Sequence, residues 1–451
     1  MSLLAAHIND AAITVLNEQR LLYSQPGFAL LDDDGVSIGD AAEHVARLKP
    51  RRIDNRFWER LDTEPLGYSR FPNLSSADLV SRHLEQVWGA VSGAGDQLSI
   101  AVPGYMSNQQ LSLFLGIAAE LAIPIAGLVD AAAAATRREY RDAVPIHIDI
   151  GLHKACLSRI AQDGQVLVER TEVIDTAGVA SLSDAWIRKI ADCFVDQSRF
   201  DPLHTAETEQ ALADALPHWL AASMRADSVS MSVESRGMSH TAEIESIELI
   251  SAAAPVYQRI ASQLRTLLRA DEVPAIQLAD RAARMPGLAD MLSARVGGEV
   301  FLLEPGATAR GLLRRARPDT AGGGAVSLLK ALPWDQAAVD IDVSIAGDGG
   351  AQPTHILFDH VAYPVDDRPL VLGSQASDGS RWIDFGRDMP GLSRRHCSIV
   401  REGGQCVVED QSRYGTFLNG HRIDGSVVLQ NGDTIRLGTP GFELELIRAV
   451  N

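Results

Sequence analysis

A change of pattern near residue 316 limits the fold more than any other feature. Upstream, β-rich apolar runs alternate with long stretches of helical period. Downstream, short strand patterns follow one another between turn signals, with almost no helical period. Between them lies "RARPDTAGGGAVSLLKALPWDQAAVDIDVSIAGDGGAQPTH", residues 315–355, with an Ala-Gly-Gly-Gly run, a Gly-Asp-Gly-Gly run and three prolines. Gly-rich composition of this kind reads as a tether with a few sticky apolar positions. Two cores are therefore expected, an α/β unit over 1–316 and an all-β unit over 351–451, joined by a flexible linker over 317–350.

In the first unit, "QLSIAVPGYMS" reads as a buried strand ending at a Pro-Gly turn, followed by a helix opened by Ser107. "VPIHIDIGLHKACLSRIAQDGQVLVERTEVI" reads as three strands, with Asp163-Gly164 as a hairpin turn. Residues 181–270 read as mostly helical, and "PAIQLADRAARMPGLADMLSARV" as strand, loop and helix. The second unit reads as strand after strand, with turns at Gly379, Gly403-Gly404, Asn419-Gly420 and Asn431-Gly432, the pattern of a sandwich. A two-residue turn at Gly403-Gly404 places Cys406 opposite Arg401 and Cys397 opposite Asp410.

The composition, 46% hydrophobic and 22% charged over 451 residues, is that of a globular protein. A formal charge of -18 repels DNA and anionic bilayers, so neither nucleic acid nor a membrane is expected as partner. The longest apolar stretch is interrupted by Glu120, Pro124 and Asp130, and the N-terminus has no basic segment ahead of an apolar one. The four cysteines have neither metal-ligand nor disulfide-framework spacing, which points to reduced thiols and a cytoplasmic location.

Residues 392–420, "LSRRHCSIVREGGQCVVEDQSRYGTFLNG", hold two Ser-centred turns with an arginine in or beside each. A phosphate on threonine brings up to two charges and three acceptor oxygens, so its receptor needs hydroxyl and backbone donors together with guanidinium forks. Ser393-Arg394-Arg395-His396, Ser412-Arg413-Tyr414-Gly415-Thr416, Asn419-Gly420 and "LQNGDTIRLG" fall in one order and spacing, and with them residues 368–440 resemble a forkhead-associated (FHA) domain. The resemblance implies a β-sandwich whose end loops bind a phosphothreonine peptide, with Ser393, Arg394, Arg413, Thr416 and Asn419 at the site. His396 itself reads as a brace, packed and hydrogen-bonded inside the sandwich, rather than as a chemical group. Where the family has a Gly-Arg pair this chain has Gly373-Ser374, and where it has an asparagine before Gly415 this chain has Tyr414. Either Arg387 or Arg413 is the candidate to reach the phosphate position that Ser374 leaves short of a guanidinium.

The segments "LSIAVPGYMSNQQLSLFLGIAAELAIPIAGLVDAAAAAT", "IHIDIGLHKACLSRI" and "IQLADRAARMPGLADML" resemble, in that order, the nucleotide-binding domain of DnaK-type chaperones and the wider actin-like ATPase superfamily. The resemblance implies two α/β lobes with ATP and Mg²⁺ between them. Such a site needs carboxylates to order the metal's waters and glycine turns to cradle phosphates. This chain has His7 in the first aspartate position, Asn9 in a glycine position, Leu152 and His153 after Asp149 and Gly151, and Ala279-Asp280 in place of a Gly-Gly pair. Asp149, Gly151, Asp130 and Asp10 remain as candidates for residual nucleotide contact, with Asp149 equally readable as a structural turn residue. His153 with Lys154 could serve another anion but reads better as a solvated hairpin edge, and Asp280-Arg281 and the cluster Arg314, Arg315 and Arg317 are likewise read as surface charges.

These readings favour an adaptor: a degenerate, non-catalytic actin-like unit joined to a reader of a phosphorylated or acidic protein partner, with no cofactor and no metal. The alternatives are a divergent chaperone-type ATPase with Asp149, Asp130 and Asp10 around its metal, and a phosphate-independent interaction module.

Overall fold

The computed structural model describes residues 2–269, 272–315, 327–341, 352–358, 361–375, 381–385, 391–419, 421–430, 433–438 and 441–447. The chain divides into two compact units, Met1–Ile341 and Asp342–Asn451.

The first unit contains two six-stranded sheets that share a five-strand order, the sixth strand joining opposite edges. In the first sheet the order is Leu21–Gln25, Ile13–Leu16, Leu3–His7, Gln97–Val102, Ile125–Asp130, Leu328–Leu329; an antiparallel meander runs into parallel neighbours. In the second it is Ala331–Leu332, Val166–Asp175, Lys154–Gln162, Val144–Ile150, Pro274–Leu278, Glu299–Leu302, with the same change from antiparallel to parallel. Helices Ser76–Val91 and Asn108–Glu120 cover one face of the first sheet. Both begin at capping boxes, Ser75 with Asp78 and Ser107 with Gln110, which satisfy otherwise unpaired N–H groups of the first turn. Helices Val179–Ser198, Ala206–Ser223 and Ser246–Arg265 cover the second sheet around Trp186 and Tyr257.

A third apolar cluster joins residues of both sheets, among them Ala5, Val129, Ile160 and Val168, to helices Ala131–Ala135 and Ala307–Arg315. Five successive alanines suit this place because the two helices approach until Gly311 lies against the Ala134 carbonyl, where a β-carbon would overlap it.

Two expectations are corrected here. Within the stretch read as helical, Ser228–Ser235 and Met238–Glu245 form a hairpin, with Val229, Met231 and Val233 inward at a period of two. The expected linker over 317–350 is in part structure of the first unit. Leu328–Leu329 extends the first sheet, Ala331–Leu332 the second, and Val339–Asp340 pairs with Tyr140–Arg141. Asp335 accepts a two-pronged hydrogen bond from Arg137, at 3.1 and 2.5 Å. Edge strands offer unpaired backbone groups, and this segment's Leu and Val positions supply the apolar contact that turns a tether into a strap.

The second unit is a sandwich of a six-stranded and a five-stranded sheet. Alternate residues of facing strands, including Ile356, Leu372, Ile399, Val408, Ile435 and Leu444, fill the core. The turn at Gly403-Gly404 sets the register as expected, with Cys397 opposite Asp410 and Arg401 opposite Cys406. All four cysteines are free and buried. Among the described residues, no helix is long and apolar enough to cross a membrane.

Candidate functional site

At one end of the sandwich, strands Leu370–Gly373, Cys397–Glu402, Gln405–Asp410 and Thr416–Leu418 bring together the segments 391–396 and 411–415. Backbone contacts tie the first of these to the strand end before it: the N–H groups of Ser374 and Gln375 donate to the carbonyls of Ser393 and Arg394, at 3.1 and 3.2 Å. Gly373 makes this approach possible, because a β-carbon there would overlap the Arg394 carbonyl.

His396 joins the two loops. Its Nδ1 accepts the Ser393 N–H at 3.1 Å, so the ring proton resides on Nε2, which donates to the Gly415 carbonyl at 3.1 Å. Burial holds its pKa below the ordinary value for a histidine, against the opposing pull of the Gly415 carbonyl. The brace read for His396 is thus visible atom by atom.

Ser393 Oγ accepts the backbone N–H of Arg413 at 3.1 Å, which places Ser393, Arg394 and Arg413 on one rim. An accepting hydroxyl keeps its own proton for a further acceptor. Arg394, Arg395 and Arg413 are exposed, and among the described residues none has a carboxylate partner. Tyr414, beside Arg413, is 53% exposed.

Two residues grouped with these by the resemblance belong instead to the frame beneath them. Thr416 is wholly buried and donates its hydroxyl to Asp410 Oδ1 at 2.7 Å, the same oxygen that accepts the Ser412 N–H at 3.0 Å. Asn419 spends both ends of its amide, donating to Asp433 Oδ1 at 2.8 Å and accepting the Thr434 N–H at 3.0 Å. Its left-handed backbone, φ 49°, suits an asparagine at a hairpin turn. Arg387 lies outside the described residues. Arg422, which the sequence reading did not single out, packs on the same turn: its Nε stands 2.9 Å from where a β-carbon of Gly415 would be.

In the first unit, the turns of the two meanders meet. Asp10 Oδ1 accepts the Leu152 N–H at 2.7 Å and faces Gly151, whose β-carbon would lie 2.5 Å from it. Burial pushes the Asp10 pKa up to about 6, with Glu59 and Asp149 adding to the rise while the Leu152 N–H and Arg281 oppose it. Asp149 Oδ1 accepts the Asn9 amide at 2.9 Å, and its Oδ2 stands 3.2 Å from His7 Nε2. Burial alone would raise the Asp149 pKa, but His7, His147 and Asn9 outweigh it and hold it at about 2. Asp10, Asp149 and Gly151 are therefore neighbours, whereas Asp130 caps the alanine helix by accepting the Ala132 N–H at 2.9 Å. Among the described residues, no three His, Cys, Asp or Glu side chains converge as a metal-holding group.

Several groups read as surface charges are held by the fold instead, whereas Arg314 is exposed as read and Arg317 lies outside the described residues. His153 is buried with Nε2 3.1 Å from the Asn55 carbonyl, and Lys154 Nζ is 3.3 Å from both Glu59 and Asp175. Arg281 donates to the Ala11 carbonyl at 3.1 Å, and Asp280 pairs with Arg284 at 2.5 Å. Arg315, 6% exposed, donates to the carbonyls of Ala133, Ala134 and Thr136, closing the C-terminal end of the alanine helix. Burial pulls its pKa down to about 10.

No curated protein matches the chain. Residues 371–438 match the family model of the FHA domain, a protein-interaction module that binds phosphorylated protein partners.

Proposed function

We propose that this chain is a non-catalytic adaptor, in which the FHA rim captures a phosphothreonine-bearing peptide and the first unit is an actin-like scaffold that turns over no nucleotide. The observation that carries the first half is the bond from the Arg413 backbone N–H to Ser393 Oγ, which joins the two loops beside Arg394; among the described residues neither Arg394 nor Arg413 has a carboxylate partner. Guanidinium forks match phosphate oxygens in pairs, and charged hydrogen bonds of this kind are worth roughly 1.5 to 3 kcal/mol each. Arg413, whose backbone N–H is bonded to Ser393, is the candidate for the fork missing at Ser374.

Two features support the reading of the first unit. Its sheets repeat one strand order, as the resemblance to two-lobed actin-like proteins implies. Its meander turns satisfy each other: the Leu152 N–H that would meet a phosphate oxygen meets the Asp10 carboxylate instead, and Asp149 is held by Asn9 and His7. Attachment to such a scaffold raises the local concentration of whatever the rim holds.

Titration calorimetry of the full chain tests both halves. A phosphothreonine peptide is expected to bind and its unphosphorylated twin to fail, with Ser393→Ala, Arg394→Ala and Arg413→Ala each costing about tenfold or more. Equal binding of the two peptides would favour a phosphate-independent surface. Mg-ATP is expected to give no heat of binding, and micromolar affinity with turnover would overturn the scaffold reading in favour of a chaperone-type ATPase.

A further inference from the structure

The rim holds more positive charge than one phosphate uses. In a chain with 59 acidic and 41 basic residues, an arginine commonly finds a carboxylate, and in the second unit Arg381 and Arg368 both pair with Asp366. Yet Arg394, Arg395, Arg413 and Arg422 stand on the two loops and the adjoining hairpin with no carboxylate partner among the described residues. Desolvation does not explain this, because all four are exposed.

Arg422 is the informative member. Strand pairing sets it opposite Phe417, and its side chain turns back over the turn that carries Arg413 and Tyr414. Gly415 has φ +85°, and its missing β-carbon leaves the space that the Arg422 Nε and Cζ line at 2.9 and 3.3 Å. Arg422 is thereby held against Gly415, two residues from Arg413 in the turn whose backbone is bonded to Ser393. A phosphate dianion offers three oxygens, and Ser393, Arg394 and Arg413 already provide a hydroxyl and two forks for them.

Resting on the phosphopeptide reading above, we infer that the natural ligand carries a second anionic group next to its phosphothreonine, and that Arg422 selects for it. The chemistry required is an oxyanion within a few residues of the phosphothreonine, supplied by an Asp or Glu side chain or by a second phosphate. Exposed charges interact at a range set by salt, about 10 Å at 0.1 M, so this selectivity is strongest at low ionic strength.

The test uses the full chain and four fluorescent peptides of one backbone: unphosphorylated, phosphothreonine with neutral flanks, phosphothreonine with flanking aspartates, and doubly phosphorylated. At 50 mM salt the aspartate and doubly phosphorylated peptides are expected to bind about tenfold more tightly than the neutral one. Arg422→Gln is expected to erase most of that preference and to lower neutral-peptide affinity far less, while the melting temperature of the variant confirms folding. A greater preference for the second phosphate than for aspartate assigns the anion to a second phosphorylation; equal preference assigns it to charge alone. If all phosphopeptides bind equally, or if Arg422→Gln weakens all of them by one factor, the inference is overturned and the phosphopeptide reading stands. If no phosphopeptide binds, both fall.

Discussion

Replacing Asp10 by asparagine tests the physical account of the first unit most directly. Asp10 is 4% exposed and holds the Leu152 N–H across the two meander turns. Its pKa of about 6, against an ordinary 3.8, means that the folded chain binds this proton more tightly than the unfolded chain. The contribution of the group to stability is therefore full below about pH 4 and is lost as pH rises through 6. At about 1.4 kcal/mol per pH unit, the interval from 3.8 to about 6 corresponds to about 3 kcal/mol lost by pH 7.5. Asparagine keeps a carbonyl oxygen for Leu152 and carries no charge, so Asp10→Asn should exceed the wild type by about 1 to 3 kcal/mol at pH 7.5 and match it near pH 4. The neighbouring Glu59, Asp149 and Arg281 are common to both proteins, so the difference between them isolates residue 10. Urea unfolding followed by tryptophan fluorescence reads it, since Trp58, Trp88, Trp186, Trp219 and Trp334 lie in the first unit and only Trp382 in the second. An Asp10→Asn protein less stable than wild type at pH 7.5, or a gap that does not change with pH, would refute the reasoning.

Four further outcomes are expected. Gly373→Ala should force the Ser393 loop away from its strand and abolish phosphopeptide capture, measured by calorimetry, because a β-carbon would overlap the Arg394 carbonyl. His396→Ala should destabilise the second unit by about 1 to 3 kcal/mol in Trp382-monitored melting, since it leaves the Gly415 carbonyl and the Ser393 N–H without their partner. The depressed His396 pKa also predicts that the wild-type second unit weakens as pH falls below the ordinary histidine range, where the unfolded chain takes the proton first, and that the Ala variant lacks this dependence. Arg315→Ala should cost the first unit about 2 to 4 kcal/mol in urea unfolding by leaving buried carbonyls at the end of the alanine helix unsatisfied.

Much of the second unit was legible in the sequence because its signals are local. A two-residue turn fixes hairpin register, so Gly403-Gly404 was enough to set Cys397 opposite Asp410. Ser107 likewise announced its helix through a cap that lies within four residues of chain. The motif spacing located the loops around Ser393 and Arg413 but could not separate groups that face outward from those that hold the frame. Thr416 and Asn419 were grouped with the site, and only the positions of Asp410 and Asp433 show where their polar atoms go. The hairpin over 228–245 did leave a trace, the alternation of Val229, Met231 and Val233, which the helical patterns on either side obscured.

Tertiary structure decided whatever depends on partners remote in sequence. Glycine-rich composition read residues 317–350 as a flexible linker, but the open edges of two sheets, built from strands far upstream, convert 327–341 into a strap. The same holds for charge: Arg315, Lys154 and Arg281 look like surface residues until the carbonyls of Ala133 and Ala11 and the carboxylate of Glu59 are brought to them. Periodicity, caps and turns are properties of neighbouring residues and can be read along a line. Whether a polar group is exposed, paired or buried depends on what the fold places around it in three dimensions, which is why this sequence alone indicated the architecture and the loops while the contacts within them had to come from the structure.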